Sequence, residues 1–385
     1  MTTTQQFKRY EKKAMKVDSK VISGREPYIS TLRHGDYTET FLTIHGEGSE
    51  DPLCMFDRMR ERLQKLNSGI VRMEGVGLIN TSGKAVSELR YCEDCRDCSL
   101  REPNHDGTRN CPVSGLYAHT ISNAKLQPVW LGGQIVGTIY EDDFAHYCFL
   151  NNILPELNVL TEKQTEQVFN RFEAALKTVG MEFRDVIRTW FHLDNIFDWY
   201  DQFNDVRHRF FKERGIYDAL VPASTGIGGA NPAGVSIVGN LYAIKPKTDE
   251  MRIRAVPSPL QCPALEYGSS FSRAVEVDAP TYRKLFISGT ASIAPEGHTI
   301  HLDDIDRQIE LTLDVVLAIM ESCGMEWNDV TDAIAYVRDK EDLPAFDRYC
   351  ERTNLSAEPV IVIQNDVCRE DLLFELELAA AKAKG

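Results

Sequence analysis

The stretch EKQTEQVFNRFEAALKTVGMEFRDV (162–186) is answered by DRQIELTLDVVLAIMESCGMEWNDV (306–330). Gln164 stands over Gln308, Glu166 over Glu310, Gly180-Met181-Glu182 over Gly324-Met325-Glu326, and Asp185-Val186 over Asp329-Val330. Each pair is 144 positions apart, as in 324 − 180. Chance matches do not hold one offset over a helix-length window, so the chain carries one unit twice. Within each copy a helix is expected. Val168, Phe172, Leu176 and Val179 recur at three- and four-residue steps, as do Ile305, Ile309, Leu313, Val316 and Met320, giving each helix one apolar stripe. Thr161 with Gln164 fits a capping box, and Gly180 and Gly324 sit where a C-terminal cap belongs.

Reading outward, each helix follows an apolar run with β-branched and aromatic residues bounded by glycine, 128–136 in the first copy and 284–289 in the second. A short strand follows each helix, at 186–193 or 330–337. Then come a second helix near 198–212 or 342–353 and a closing strand at 235–244 or 372–379. The fold class is therefore α+β: two tandem β-sheet modules, 114–245 and 268–385, each with helices on one face. Residues 246–267, punctuated by Lys245-Pro246-Lys247 and Pro257-Ser258-Pro259, read as a linker. Residues 1–113 form an N-terminal region outside both copies, with a strand expected at 40–45 and a helix at 56–66.

Lys plus Arg number 43 against 58 Asp plus Glu, a net charge of −15, and no basic patch offsets it, so nucleic acid is not an expected partner. The early cations Lys8, Arg9, Lys12, Lys13 and Lys16 lead into no apolar run of signal-peptide length, and no stretch approaches the roughly 20 apolar residues of a membrane span. A cytoplasmic protein is expected, with its ten cysteines as thiols or metal ligands. Cys92, Cys95 and Cys98, spaced C-x2-C-x2-C, with Cys111 beyond, form a candidate zinc or iron–sulfur site in a locally polar stretch. Free cysteines are the alternative, and no other cofactor is indicated.

Strand alternation sends Glu375 and Glu377 to one face of the closing strand and Phe374, Leu376 and Leu378 to the other, toward the helices. Either the two carboxylates form structural ion pairs, for instance with Arg369, or one is desolvated enough to serve as a general acid. The stretch Ser224-Thr225-Gly226-Ile227-Gly228-Gly229 reads as a loop whose amides could cradle an anion. It is neither a Walker loop nor a GxGxxG turn, since Asn231 replaces the last glycine. Arg207, Arg273 and Arg369 are candidate carboxylate clamps. Cys368, with no base beside it, reads as pocket lining.

Phe286-Ile287-Ser288-Gly289, the Gly324-Met325 helix end and Asp366–Arg369 through Phe374–Glu377 resemble the RidA (YjgF/UK114, endoribonuclease L-PSP-like) family. That resemblance implies a chorismate-mutase-like fold, a homotrimer, and small-molecule sites in clefts between subunits, with Ser288 and Gly289 at the site. Enamine- and imine-hydrolysing members place an Arg fifteen residues before the Glu matching Glu375; here that position is Val360. The two-copy layout, with Thr189-Trp190, Tyr200–Asn204, Arg207, Thr225–Gly229, Gln261, Tyr267-Gly268 and Ser270–Ala274, resembles the chorismatases. They are hydrolases that join a degenerate RidA-like half to a clearer one and release pyruvate from chorismate. Their pocket carries a Glu seven residues after a Cys, the spacing of Cys368 and Glu375. The resemblance implies Glu375 as proton donor, with Tyr200, Arg207, Ser224, Thr225, Gly226, Gly228, Gly229, Cys368 and Arg369 around the substrate. Other implied readings are an enamine or imine hydrolase and a non-catalytic ligand- or metal-binding protein.

Overall fold

The structure, a computed structural model, describes residues 27–34, 36–46, 52–78, 85–86, 114–231 and 233–384. Its first sheet is made by β1 (Tyr28–Arg33), β2 (Thr38–His45), β3 (Gly69–Leu78), β4 (Ala85–Val86) and β5 (Gly115–Ser122), ordered β1-β2-β5-β3-β4, with α1 (Pro52–Leu66) between β2 and β3. The strand expected at 40–45 and the helix at 56–66 are both present, and longer. The expected boundary at 114 moves, because β5 pairs with β2 and β3 and closes this N-terminal sheet.

The middle sheet contains β6 (Gln127–Leu131), β7 (Gln134–Glu141), β8 (Ala145–Ile153), β9 (Val186–Leu193), β10 (Ala223–Gly228) and β11 (Ile237–Pro246), with α2 (Thr161–Thr178) and α3 (Ile196–Glu213). The last contains β12 (Arg252–Val256), β13 (Ala274–Asp278), β14 (Tyr282–Ala291), β15 (Val330–Val337), β16 (Val360–Gln364) and β17 (Phe374–Ala383), with α4 (Ile305–Ser322) and α5 (Pro344–Thr353). Their orders, β6-β7-β8-β11-β9-β10 and β12-β13-β14-β17-β15-β16, are the same order twice. In both the edge strand, β10 or β16, runs parallel to its neighbour. The duplication is thus structural as well as textual.

Three details differ from the sequence reading. The run 128–136 is a hairpin, not one strand: Gly132 and Gly133, at φ +58° and +81°, make the two-residue turn between β6 and β7. The counterpart of β14 is therefore β8. Residues 252–256, expected in a linker, supply edge strand β12 of the last sheet. Thr161 opens α2 without a side-chain cap; Gln164 instead donates to the Val159 carbonyl and accepts from Ser236 N–H. Gln308 does the equivalent, accepting from Leu373 N–H. This tie between helix start and closing strand gives both copies a reason to keep the Gln. Gly180 and Gly324 are left-handed just past their helices, as expected.

The helices cover the outer face of each sheet. Val168, Phe172 and Leu176 pack under α2, and Ile309, Leu313, Val316 and Met320 under α4, each worth roughly 1.5–3 kcal/mol when fully buried. The opposite faces of all three sheets meet in one central core that includes Phe41, Tyr117, Trp190, Tyr242, Val275 and Tyr336. Around that core β10 lies against β14, β16 against β2 and β3, and β3 against β7 and β8. In each sheet the strand that pairs with the closing strand on its outer side (β2, β8 or β14) is followed in the chain by a helix and then the next strand, so the N-terminal region, which lacks the first edge strand, is a reduced third version of the module. Seams of the kind the resemblance puts between subunits are formed here within one chain.

Candidate active site

The seam of β10 with β14 holds a cleft enclosing about 490 Å³, lined from α3, β10, the segment before β13, β14 and β17. The Gly-rich stretch expected to be a loop is itself the edge strand β10, parallel to β9. Amides of this strand are spent on neighbouring segments rather than left open as a ring. Ser224 N–H donates to Ser288 Oγ at 2.9 Å, and Ser288 Oγ donates to the Ser272 carbonyl. Gly289 N–H donates to Thr225 Oγ1 at 3.0 Å. Gly228 N–H donates to the Asp366 carbonyl at 2.8 Å, and a Cβ there would strike the Asp366 backbone. Gly229 N–H is spent on the Leu193 carbonyl. Ser288, Thr225 and Gly228 thus build the seam, and Gly229 ties the end of β10 to β9, rather than lining the cleft.

Glu375 is buried at the cleft wall. Gly289 makes room for it, since a Cβ at that position would collide with the Glu375 carboxyl. Burial pushes the Glu375 pKa up to about 8; the nearby Glu377 charge adds to this and Arg188 opposes it. The two glutamates share a face, as expected, but not a fate. Glu377 is ion-paired with Arg188 at 2.6 Å, while Glu375 has no cation within ion-pair distance among the described residues and its upward shift favours the protonated form.

Three guanidiniums face the same space. Arg207 is buried, donates to Asn204 Oδ1 and Ser224 Oγ, and leaves its Nε without a partner. Arg273 donates twice to the Cys262 carbonyl, and Arg369 donates to that of Gly297. Both sit 5.3 Å from the Tyr267 ring centroid. Among the described residues none of the three has a carboxylate within ion-pair distance. Tyr200 stacks on Phe203, and its hydroxyl pKa is raised by burial. Burial pushes the Cys368 thiol up to about 12, so it lines the wall as a thiol.

Tyr200, Arg207, Ser224, Gly226, Gly289, Cys368, Arg369 and Glu375 are brought together as candidate residues. Ser269, Ala291 and Ile293 also line the cleft, with no signal in the sequence; Gly268, left-handed at φ +87°, ends the turn 264–267 that brings Tyr267 to it. Val360, where an imine-hydrolysing site would have its Arg, is packed in the helix-side core. Cys92, Cys95, Cys98 and Cys111 lie outside the described residues. Among the described residues no group of three or more His, Cys, Asp or Glu could hold a metal, and no helix is long and apolar enough to cross a membrane.

Residues 264–382 match the endoribonuclease L-PSP family. The chain is 31% identical over 214 residues to a chorismatase of Streptomyces hygroscopicus, covering 49% of this chain and 60% of that relative. It is 27% identical over 273 residues to a 3-hydroxybenzoate synthase of the same organism, covering 64% and 76%. A chorismatase crystal structure aligns with a TM-score of 0.54 at 24% identity, over 69% of this chain and 82% of that one. The chain thus matches less than two thirds of the first relative's length. The match to the endoribonuclease L-PSP family is confined to residues 264–382, which hold the Glu375 side of the seam. Over a longer stretch the chain is similar to chorismatases in sequence and fold.

Proposed function

We propose that this protein is an enzyme of the hydrolase/lyase class that cleaves the enol ether of a small cyclic dicarboxylate, chorismate or a close isomer. The observation that carries the reading is one buried carboxyl, Glu375, in a cleft with three guanidiniums that have no carboxylate within ion-pair distance among the described residues. A planar guanidinium takes a carboxylate by two parallel bonds, so Arg207, Arg273 and Arg369 suit an anionic substrate. Glu375 gives its proton to the enol methylene carbon, and the ether carbon becomes an oxocarbenium. Water, or a ring hydroxyl, adds there and returns a proton to the Glu375 carboxylate. With water, the hemiketal collapses to pyruvate and the ring alcohol, so the sum is enol ether plus water. The acid must be protonated at working pH and close to the developing charge, and a buried carboxyl meets the first condition.

The site is complete at a seam inside one chain, so the active unit we propose is a single chain rather than the homotrimer the resemblance implies. The test is pyruvate release from chorismate and isochorismate. Turnover is expected, and Glu375→Gln should lower it by about 100-fold or more, the usual weight of a general acid. No pyruvate from either compound would overturn the substrate, and an unaffected Glu375→Gln enzyme would overturn the role of Glu375. The Cys92–Cys111 cluster we propose as a zinc or iron site on its spacing alone; stoichiometric metal lost in Cys95→Ser is the expected result, and metal-free parent protein would reject it.

A further inference from the structure

Thr225 is the point at which the two modules touch behind the acid. Its hydroxyl accepts from Gly289 N–H at 3.0 Å and from Arg188 Nη2 at 2.6 Å, and donates to the Glu377 carboxylate. Arg188 Nη2 also reaches Glu377 Oε2 at 2.6 Å, and Tyr336 donates to Glu377 Oε1 at 3.3 Å. Arg188 and Glu377 are both buried. One ion pair therefore joins β9 and β10 of the middle module to β17 of the last. Through Thr225 it also holds the amide of Gly289, the residue whose bare Cα admits the Glu375 carboxyl.

Seam closure alone does not call for charge. A buried ion pair loses hydration that apolar residues of similar size would not, and replacing such pairs is often neutral or stabilising. The duplication supplies an internal comparison. Ile237 pairs with Leu193 as Phe374 pairs with Val337, so Val238 corresponds to Glu375 and Asn240 to Glu377. Where the acid has become Val238, the second carboxylate has become neutral Asn240, which accepts from Asn152 N–H. Acid and second carboxylate are present together in one module and absent together in the other.

We propose that Arg188, Glu377 and Thr225 are positioning residues, a buried bridge that fixes the strand of Glu375 against the middle module and sets the charge behind its carboxyl. The role rests on the reading of Glu375 as the proton donor. The other groups facing Glu375 are Tyr200 and Arg207 of α3, Tyr267 and Arg273 before and at the start of β13, Cys368 and Arg369 of the 366–371 segment, and Tyr336 of β15. The bridge differs from them in bringing one negative and one positive charge that can be removed separately.

The test is an infrared titration of the Glu375 carboxyl in the full chain, its band assigned by loss in Glu375→Gln. Glu377→Gln removes a like charge and should lower the midpoint by about one pH unit or more; Arg188→Met removes an opposing charge and should raise it by a similar amount. Thr225→Ser should keep the parent's turnover and Thr225→Val should lose it, with kcat falling more than KM rises. Unmoved midpoints in both charge variants, each shown folded by circular dichroism, would overturn the bridge. Shifted midpoints in a protein that releases no pyruvate would uphold the bridge and reject the proposed substrate instead.

Discussion

Glu375 would be ionised in water at neutral pH, and its cleft favours the protonated form by pushing its pKa up to about 8. The difference comes from burial, with Glu377 two residues along the same strand face reinforcing it and Arg188 limiting it. The direction of pH dependence follows. On the proposed acid role the proton-loaded form is the active one, so kcat/KM should hold across neutrality and decline as pH rises through about 8. A pH–rate profile measures this, and activity rising through that range would contradict an acid role. Arg207 illustrates the opposite economy. Its charge is buried with no carboxylate within ion-pair distance among the described residues, a costly arrangement that the carboxylate of the proposed substrate would relieve.

At the level of elements, the cleft depends on one position of β14, Gly289, that carries no side chain. β14 is irregular where it passes β17, the pairing shifting between Ile287 and Thr290, and Gly289 sits in that gap. Gly289→Ala should push the Glu375 carboxyl aside, costing about 1–3 kcal/mol as overpacking does, with a drop in turnover larger than the stability loss explains. Chemical denaturation and pyruvate release, measured on one preparation, separate the two effects. An alanine enzyme with the parent's rate would show that the close approach is incidental.

Across the whole molecule, buried charge also ties the first sheet to the last. Glu39 on β2 is fully buried; Lys284 Nζ of β14 holds its two oxygens at 2.6 and 2.8 Å, and His119 Nε2 lies 2.7 Å away. Burial alone would raise the Glu39 pKa, but Lys284, His119 and His34 outweigh it and hold the carboxylate well below its usual range. Lys284→Met strands that charge and should destabilise the chain by about 3–5 kcal/mol, read from urea unfolding. A loss under 1 kcal/mol would mean that the histidines suffice.

The offset of 144 between Gly180 and Gly324, the helical stripes and the β-branched runs at 186–193 and 330–337 made the two modules and their helix-backed faces legible, because periodicity and capping are local properties of the chain. The same locality placed Glu375 and Glu377 on one strand face. It could not say that Glu377 would meet Arg188, 189 residues away, while Glu375 would pair with none of the three cleft guanidiniums, since only packing sets those distances. Nor could it reveal the N-terminal region as a third module. β2, β3 and β5 keep the order of their counterparts but not their residues, and strand order is fixed by hydrogen bonding between distant segments. Sequence determined which elements form and which faces are apolar. Tertiary structure alone decided that the Gly-rich stretch is an edge strand, and that its seam with β14 buries one carboxyl and leaves three cations waiting.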